Sequence, residues 1–369
     1  MSFFFAKIQS CCTMLMVIRM VGIALEGGGA KGAYQAGAYI ALRKNGIKPK
    51  IIAGTSIGSV NAALMAQGDI NKLVKLWLNT TADIFGLNSD IIDHIKNKKF
   101  TKNDLKPTYT NIKQIIHNKG IDTTVFQNML KDNINEKKLR KSKIKLGLIT
   151  VRLHGKPEPL QLTIDDIPSG KVAEYIMASC YLPVFKMKPI IDNNYYIDGG
   201  FYNNVPLSLV EKYGCDTIYS IRIKGIGFQR NKLNKNTKVI EICPRKNLGS
   251  IILFNKESNE RNMKLGYYDA LKVIKHLDGI DYYFKNKNEK YYDRIVRNVN
   301  KILLNNLKRK YRAKNNKELV IKIVELILKD NKVNEFNIYG IKYTIFNIRR
   351  HLKIKDRQLS RFINKCKLF

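Results

Sequence analysis

The sequence predicts an α/β fold, a mainly parallel sheet flanked by helices on both faces, followed by a basic, mostly helical C-terminal region. Three observations carry this. Apolar runs of strand length alternate with helix-like segments through about residue 245, the rhythm of a parallel sheet covered on both sides. The first run, Val21-Gly22-Ile23-Ala24-Leu25, ends in Glu26 and opens into Gly27-Gly28-Gly29-Ala30-Lys31-Gly32. A second, Lys50-Ile51-Ile52-Ala53, opens into Gly54-Thr55-Ser56-Ile57-Gly58. Each is a strand that turns through glycines into a helix.

In the second turn the spacing is GxSxG. A serine in a sharp strand-to-helix turn needs glycine on both sides, because side chains there would collide with the neighbouring strand and helix. The small-residue run Ser59-Val60-Asn61-Ala62-Ala63-Leu64 reads as the helix, so the Ser56 hydroxyl stands at a helix N-terminus. There the Ile57 amide and the helix dipole favour negative charge. In the first turn, Ala33 to Leu42 reads as a helix with Tyr34, Gly37, Ala38 and Leu42 on a packed face. The bare amides of Gly27, Gly28 and Gly29 would then be oxyanion donors beside Ser56.

Gly27, Gly29 and Gly32 also satisfy GxGxxG, a dinucleotide fingerprint, but that pattern wants an acidic residue about 20 positions on. After Glu26 the next carboxylate is Asp69. A Walker loop fails because Ala33 and Tyr34 follow Gly32.

A serine nucleophile needs a proton acceptor. His94 and His117 fall in a polar, Lys-rich insertion, His154 precedes a glycine, His276 ends a long helix and His351 lies in the basic tail. None stands in a glycine-bounded loop after a strand, the usual place of a triad histidine. Asp198, in Asp198-Gly199-Gly200 after the alternating stretch Ile190 to Ile197, is the better base, in direct contact with Ser56. A Ser-His-Asp triad using His276, as in α/β-hydrolase esterases, is the alternative.

With these residues in view the chain resembles the patatin-like phospholipases. The glycine turn Gly27 to Gly32, the elbow Gly54 to Gly58 and the Asp198-Gly199-Gly200 turn match that family's motifs in order. Ala178-Ser179-Cys180-Tyr181-Leu182-Pro183 and Asn203-Asn204-Val205-Pro206 resemble its flanking segments. The resemblance covers roughly residues 20–280. It implies a Ser56–Asp198 dyad that cleaves fatty acyl esters of phospholipids or related lipids without a metal or cofactor, and it leaves open any protein activator.

The remaining expectations concern organisation and partners. Residues 1–19 read as an N-terminal extension, with translation starting at Met20; 20–280 as the catalytic domain, with 69–143 as a cap insertion; and 281–369 as the basic helical region. Trp77 is expected in the core, with a lipid-contacting lid as the sharper alternative. No apolar run approaches the roughly 20 residues of a membrane span. Cys11 and Cys12 are adjacent, and Cys180, Cys215, Cys243 and Cys366 are isolated. That pattern suits no metal site and fits a reduced, cytoplasmic protein, with export left open. Net charge is +36, and residues 226–369 hold 35 Lys and Arg against 13 Asp and Glu. Such a surface is drawn to anionic membranes or nucleic acid. For a lipid hydrolase the expected partner is an anionic membrane surface, met peripherally; Leu319, Ile323, Leu326 and Ile327 of the 317–329 helix line one face, expected to pack on neighbouring helices with the basic side solvated, and membrane contact by that face is the alternative. The tail around Arg349-Arg350 and Arg357 to Arg361 is the nucleic-acid alternative, though no zinc-finger or RNA-recognition spacing supports it.

Overall fold

The computed structural model describes residues 20–85, 120–252 and 254–367. Expectations for residues 1–19, with Cys11 and Cys12, and for His94 and His117 fall outside the described residues.

The central sheet has the strand order β4-β3-β2-β1-β6-β7. These strands are β1 (Val21–Leu25), β2 (Ile51–Thr55), β3 (Lys145–His154), β4 (Lys156–Thr163), β6 (Thr217–Ile221) and β7 (Lys238–Ile242). Neighbours from β3 through β7 are parallel, whereas β4 returns antiparallel as a hairpin on β3. The central strands β1 and β2 are buried along almost their whole length because both faces of the sheet are covered there. Ile23, Leu25 and Ile52 enter one core with α1 (Ala33–Lys44), α2 (Ile57–Ala66) and α8 (Lys256–Lys275). Ala24, Ile51, Ala53 and Ile149 point the other way, under α7 (Leu207–Lys212).

Close approach of α1 and α8 depends on two missing side chains. A Cβ on Gly37 would lie 1.9 Å from the Met263 carbonyl oxygen, and one on Gly266 would lie 1.9 Å from that of Tyr34. Gly37 was expected on the packed face, and it is where the two backbones meet.

One expectation changes. Ile190 to Ile197 is not one strand: Asp192 and Asn193 take left-handed φ of 47° and 57°, Ile191 pairs with Asn194, and only β5 (Tyr195–Asp198) joins the sheet. Asp and Asn tolerate that region and so make the tight turn. Of the 69–143 insertion, α3 (Ile70–Asn79), α4 (Thr124–Asn133) and α5 (Glu136–Lys141) are described. Trp77, on α3, is 1% exposed. It is a core residue, so the lipid-contacting alternative fails for it.

Beyond α8, a second core is built from α9 (Glu289–Val296), α10 (Lys301–Lys310), α11 (Asn316–Asp330), α12 (Ile341–His351) and α13 (Arg357–Lys365), with the short β8 (Tyr283–Phe284) and β9 (Ile338–Tyr339) at its edge. Leu319, Ile323 and Ile327 are buried at its centre and Leu326 packs against them. This face packs on its neighbours as expected, because α9 and α12 cover it, and the membrane-contact alternative fails for it. Among the described residues no helix is long and apolar enough to cross a membrane.

Candidate active site

β2 and β5 lie on the same edge of β3 and run toward each other. Thr55 of β2 pairs with Ile149 in parallel register, and Asp198 of β5 pairs with the next residue, Thr150, in antiparallel register. The C-terminal ends of both strands therefore meet, about one strand residue (~3.3 Å) apart along β3. Ser56 leaves one end and Asp198 closes the other.

Ser56 has φ 55° and ψ −131°, a left-handed conformation that costs a side-chain-bearing residue roughly 1–3 kcal/mol. Its neighbours explain why the turn holds. A Cβ on Gly54 would lie 2.0 Å from the Gly58 carbonyl oxygen, and one on Gly58 would lie 2.6 Å from that of Leu25. The Ser56 N–H donates to Ser179 Oγ (3.1 Å), whose hydroxyl donates to the Ile149 carbonyl (2.7 Å). Thr55 Oγ1 donates to the Asn203 carbonyl (2.9 Å), tying the elbow to the loop after Asp198-Gly199-Gly200.

Asp198 is buried, and its N–H donates to the Tyr181 carbonyl (2.8 Å). Oδ1 accepts the Gly200 N–H (2.7 Å), whereas Oδ2 has no hydrogen-bond partner among the described residues. Burial pushes the carboxyl up to about 6, opposed by the Ser56 hydroxyl and the Gly200 N–H. The hydroxyl is thus near enough to favour the carboxylate although no Ser56–Asp198 bond of full geometry forms, a looseness common before substrate binds. Cys180, whose Sγ is 3.8 Å from Ser59 Oγ, is held well above the ordinary thiol value by burial and then by the Asp198 charge. It is a neutral thiol and no rival nucleophile.

The glycine turn lies directly against the elbow: a Cβ on Gly27 would sit 3.1 Å from Ser56 Cβ and 2.3 Å from Asn204 Oδ1. One expected donor is lost. The Gly27 N–H bonds the Asn204 carbonyl (3.1 Å), and Asn204 Nδ2 returns a bond to the Gly27 carbonyl (3.1 Å). That pairing fixes the turn and takes the Gly27 amide out of any oxyanion hole. Neither Gly28 nor Gly29 donates to a described backbone acceptor. Gly29 has φ 56°, and a Cβ there would fall 2.1 Å from the Ile251 carbonyl oxygen.

Several residues that hold this turn carry no motif signal. Glu26, buried, accepts the N–H groups of Ile223 (2.6 Å) and Lys224 (3.0 Å) and pairs with Arg222 (3.1 Å). Beneath it, Gln35 Nε2 donates to the Glu26 carbonyl (2.6 Å), Asn61 Nδ2 to Gln35 Oε1 (2.9 Å) and to the Gly32 carbonyl (3.0 Å), and Trp77 Nε1 to Asn61 Oδ1 (2.8 Å). Gly32 is required because a Cβ would meet the Trp77 ring at 2.5 Å. Lys31 Nζ docks on the Lys224 carbonyl (3.0 Å), and burial, more than the nearby Lys224 charge, lowers its pKa. Gly199 lies where a Cβ would be 2.1 Å from the Ile149 carbonyl oxygen. Asn204 and Ser179 were visible only as flanking matches; the role of each needs the fold.

No described histidine is at this site. His154 and His351 are exposed, at the β3–β4 turn and the end of α12. His276 is an exposed left-handed cap at the C-terminal end of α8. None of the three described histidines hydrogen-bonds Ser56 or Asp198 among the described residues. Nothing in this geometry favours the triad alternative.

The chain has relatives among known proteins. The chain is 26% identical over 212 residues to the lysophospholipase NTE1 of Kluyveromyces lactis, covering 56% of this chain and 13% of that protein. It is 25% identical over 213 residues to the patatin-like phospholipase domain-containing protein ZK370.4 of Caenorhabditis elegans, covering 56% and 14%. The chain thus spans about one seventh of the length of these relatives. Among solved structures, VipD from Legionella pneumophila superposes with a TM-score of 0.38 and 15% identity, over 94% of this chain and 83% of that one. The profile of the patatin-like phospholipases, a family of lipid acyl hydrolases, matches residues 23–210, half of the chain and the stretch that holds all three motifs. The chain belongs to the patatin-like phospholipase family.

Proposed function

We propose that this chain is a lipid acyl hydrolase of phospholipase A or lysophospholipase type, working through a Ser56–Asp198 dyad. One observation carries the reading: β2 and β5 end against each other on β3, so a strained serine faces a buried carboxylate oxygen that has no other described partner. Ser56 Oγ attacks the ester carbonyl carbon while its proton passes to Asp198. The N–H groups of Gly28, Gly29 and Ile57 receive the oxyanion, one such donor lowering a barrier by about 3 kcal/mol. As the tetrahedral intermediate collapses, the carbon–oxygen bond to the alcohol breaks and the departing oxygen takes the proton from Asp198. Water then attacks the acyl-Ser56 ester with Asp198 as base, releasing fatty acid and restoring the serine. No step requires a metal or cofactor. The relative named a lysophospholipase points to single-chain phospholipids among the substrates, taken up peripherally from a membrane surface in the cytoplasm.

Fatty-acid release from phospholipid vesicles and from lysophospholipid tests the proposal. Ser56→Ala and Asp198→Asn should each lower the rate by about 1000-fold or more, and His276→Ala should leave it unchanged. Retained activity in Ser56→Ala, or its loss in His276→Ala, would refute the dyad.

A further inference from the structure

We propose that the groove between α10 and α13 docks the protein on an anionic lipid surface by binding phosphorylated headgroups. The inference rests on the lipid-hydrolase reading and locates a contact that the 317–329 helix does not make. The groove encloses about 1040 Å³. Arg357, Arg361 and Lys365 line one wall, and Arg297 adds a fourth cation beside Asn300. No Asp or Glu is among its described lining residues.

The three cations on α13 recur at i, i+4 and i+8, one exposed ridge along the helix, while Leu359, Phe362 and Ile363 occupy its buried face. Like charges four apart destabilise a helix, and no described carboxylate pairs with any of the three. Asp356, the acid preceding the ridge, caps α13 and pairs with Lys310 at 2.9 Å instead. A guanidinium binds phosphate oxygens through two parallel hydrogen bonds, so a ridge of this kind is suited to a row of phosphates.

An apolar residue on the facing wall selects a membrane over nucleic acid. Ile302 is 72% exposed at the start of α10, the most exposed large apolar side chain among those described. A nucleic-acid backbone offers an isolated aliphatic chain nothing, whereas a bilayer buries it below the headgroups.

Co-sedimentation of the full chain with phosphatidylcholine vesicles, with and without phosphatidylglycerol, tests this. The protein should bind only the anionic vesicles and leave them as salt rises. The triple variant Arg357→Gln, Arg361→Gln, Lys365→Gln should lower the partition coefficient by about 100-fold at low salt, at roughly 1 kcal/mol per charge. Ile302→Ser, an exposed change with no bearing on folding, should lower it about tenfold without altering the salt dependence. Hydrolysis of a soluble short-chain ester should be unchanged in both variants, because the groove belongs to the second core. Wild-type binding by both variants would overturn the inference. So would stronger binding of the full chain to duplex DNA than to anionic vesicles, lost in the triple variant and kept in Ile302→Ser. A wild-type chain that binds vesicles yet cleaves no soluble ester would instead count against the catalytic proposal.

Discussion

Asp198 carries two opposed demands. It must be ionised to accept a proton, yet burial raises it from an ordinary 3.8 to about 6. Its folded value exceeds its unfolded value, so folding takes up a proton between those two pH values. The stability it contributes is fully present below the unfolded value and is lost as pH rises through about 6. At neutral pH the loss is roughly 3 kcal/mol, at 1.36 kcal/mol per pH unit. Asp198→Asn should therefore melt several degrees higher than the parent at pH 7 while losing activity, and the gain should shrink toward pH 4. Calorimetry across that range measures it; a lower melting temperature at pH 7 would contradict the account. Activity has the opposite sign and should rise through about pH 6 as the base form appears. Ser179→Ala removes the acceptor of the Ser56 N–H and should cut kcat about tenfold, the order expected for one hydrogen bond of 1–1.5 kcal/mol, with KM little changed. At this scale the sequence was partly legible. Ser56 and Asp198 stand in motifs whose glycines are forced by contact. The role of Gly27 was misread because its partner, Asn204, lies 177 residues away.

For strands and helices, periodicity and glycine punctuation were enough to place β1 and β2, and to end α8 at His276. They could not show that β5 abuts β2 on β3, because that juxtaposition depends on the register of β3 with two partners. The 317–329 helix left two readings open for a related reason: an amphipathic pattern specifies a face to be covered but not what covers it. α11 is apolar on more than one side, with Val320, Ile321 and Val324 buried beside the expected residues. The α1–α8 contact makes a sharp prediction. Gly37→Ala should separate the two helices and cost about 1–3 kcal/mol, read as a lower midpoint in urea. Gly46→Ala, where nothing lies within 4 Å of the added carbon, should avoid that clash and lose only the ease of a left-handed glycine.

Across the whole molecule, two cores meet at Arg245. Its guanidinium, 9% exposed, pairs with Asp269 of α8 (3.3 Å) and Glu335 of the C-terminal region (3.0 Å), and bonds Tyr283 Oη at 2.7 Å. Nearby, Glu325 Oε1 accepts three consecutive N–H groups, from Ile280 (2.6 Å), Asp281 (2.8 Å) and Tyr282 (2.9 Å). Glu325→Ala leaves those donors unmet where the chain enters the second core. It should destabilise that core by about 2–3 kcal/mol, seen as faster hydrogen exchange in residues 280–284 while soluble-ester hydrolysis persists. Net charge was legible from composition, but its placement was not, since only the folded α13 aligns Arg357, Arg361 and Lys365. Labelling with a fluorophosphonate followed by peptide mass analysis tests the Ser56–Asp198 dyad. A single adduct on Ser56 is expected, formed faster as pH rises through about 6 and nearly abolished in Asp198→Asn. An adduct on another residue, or undiminished labelling of Asp198→Asn, would contradict it.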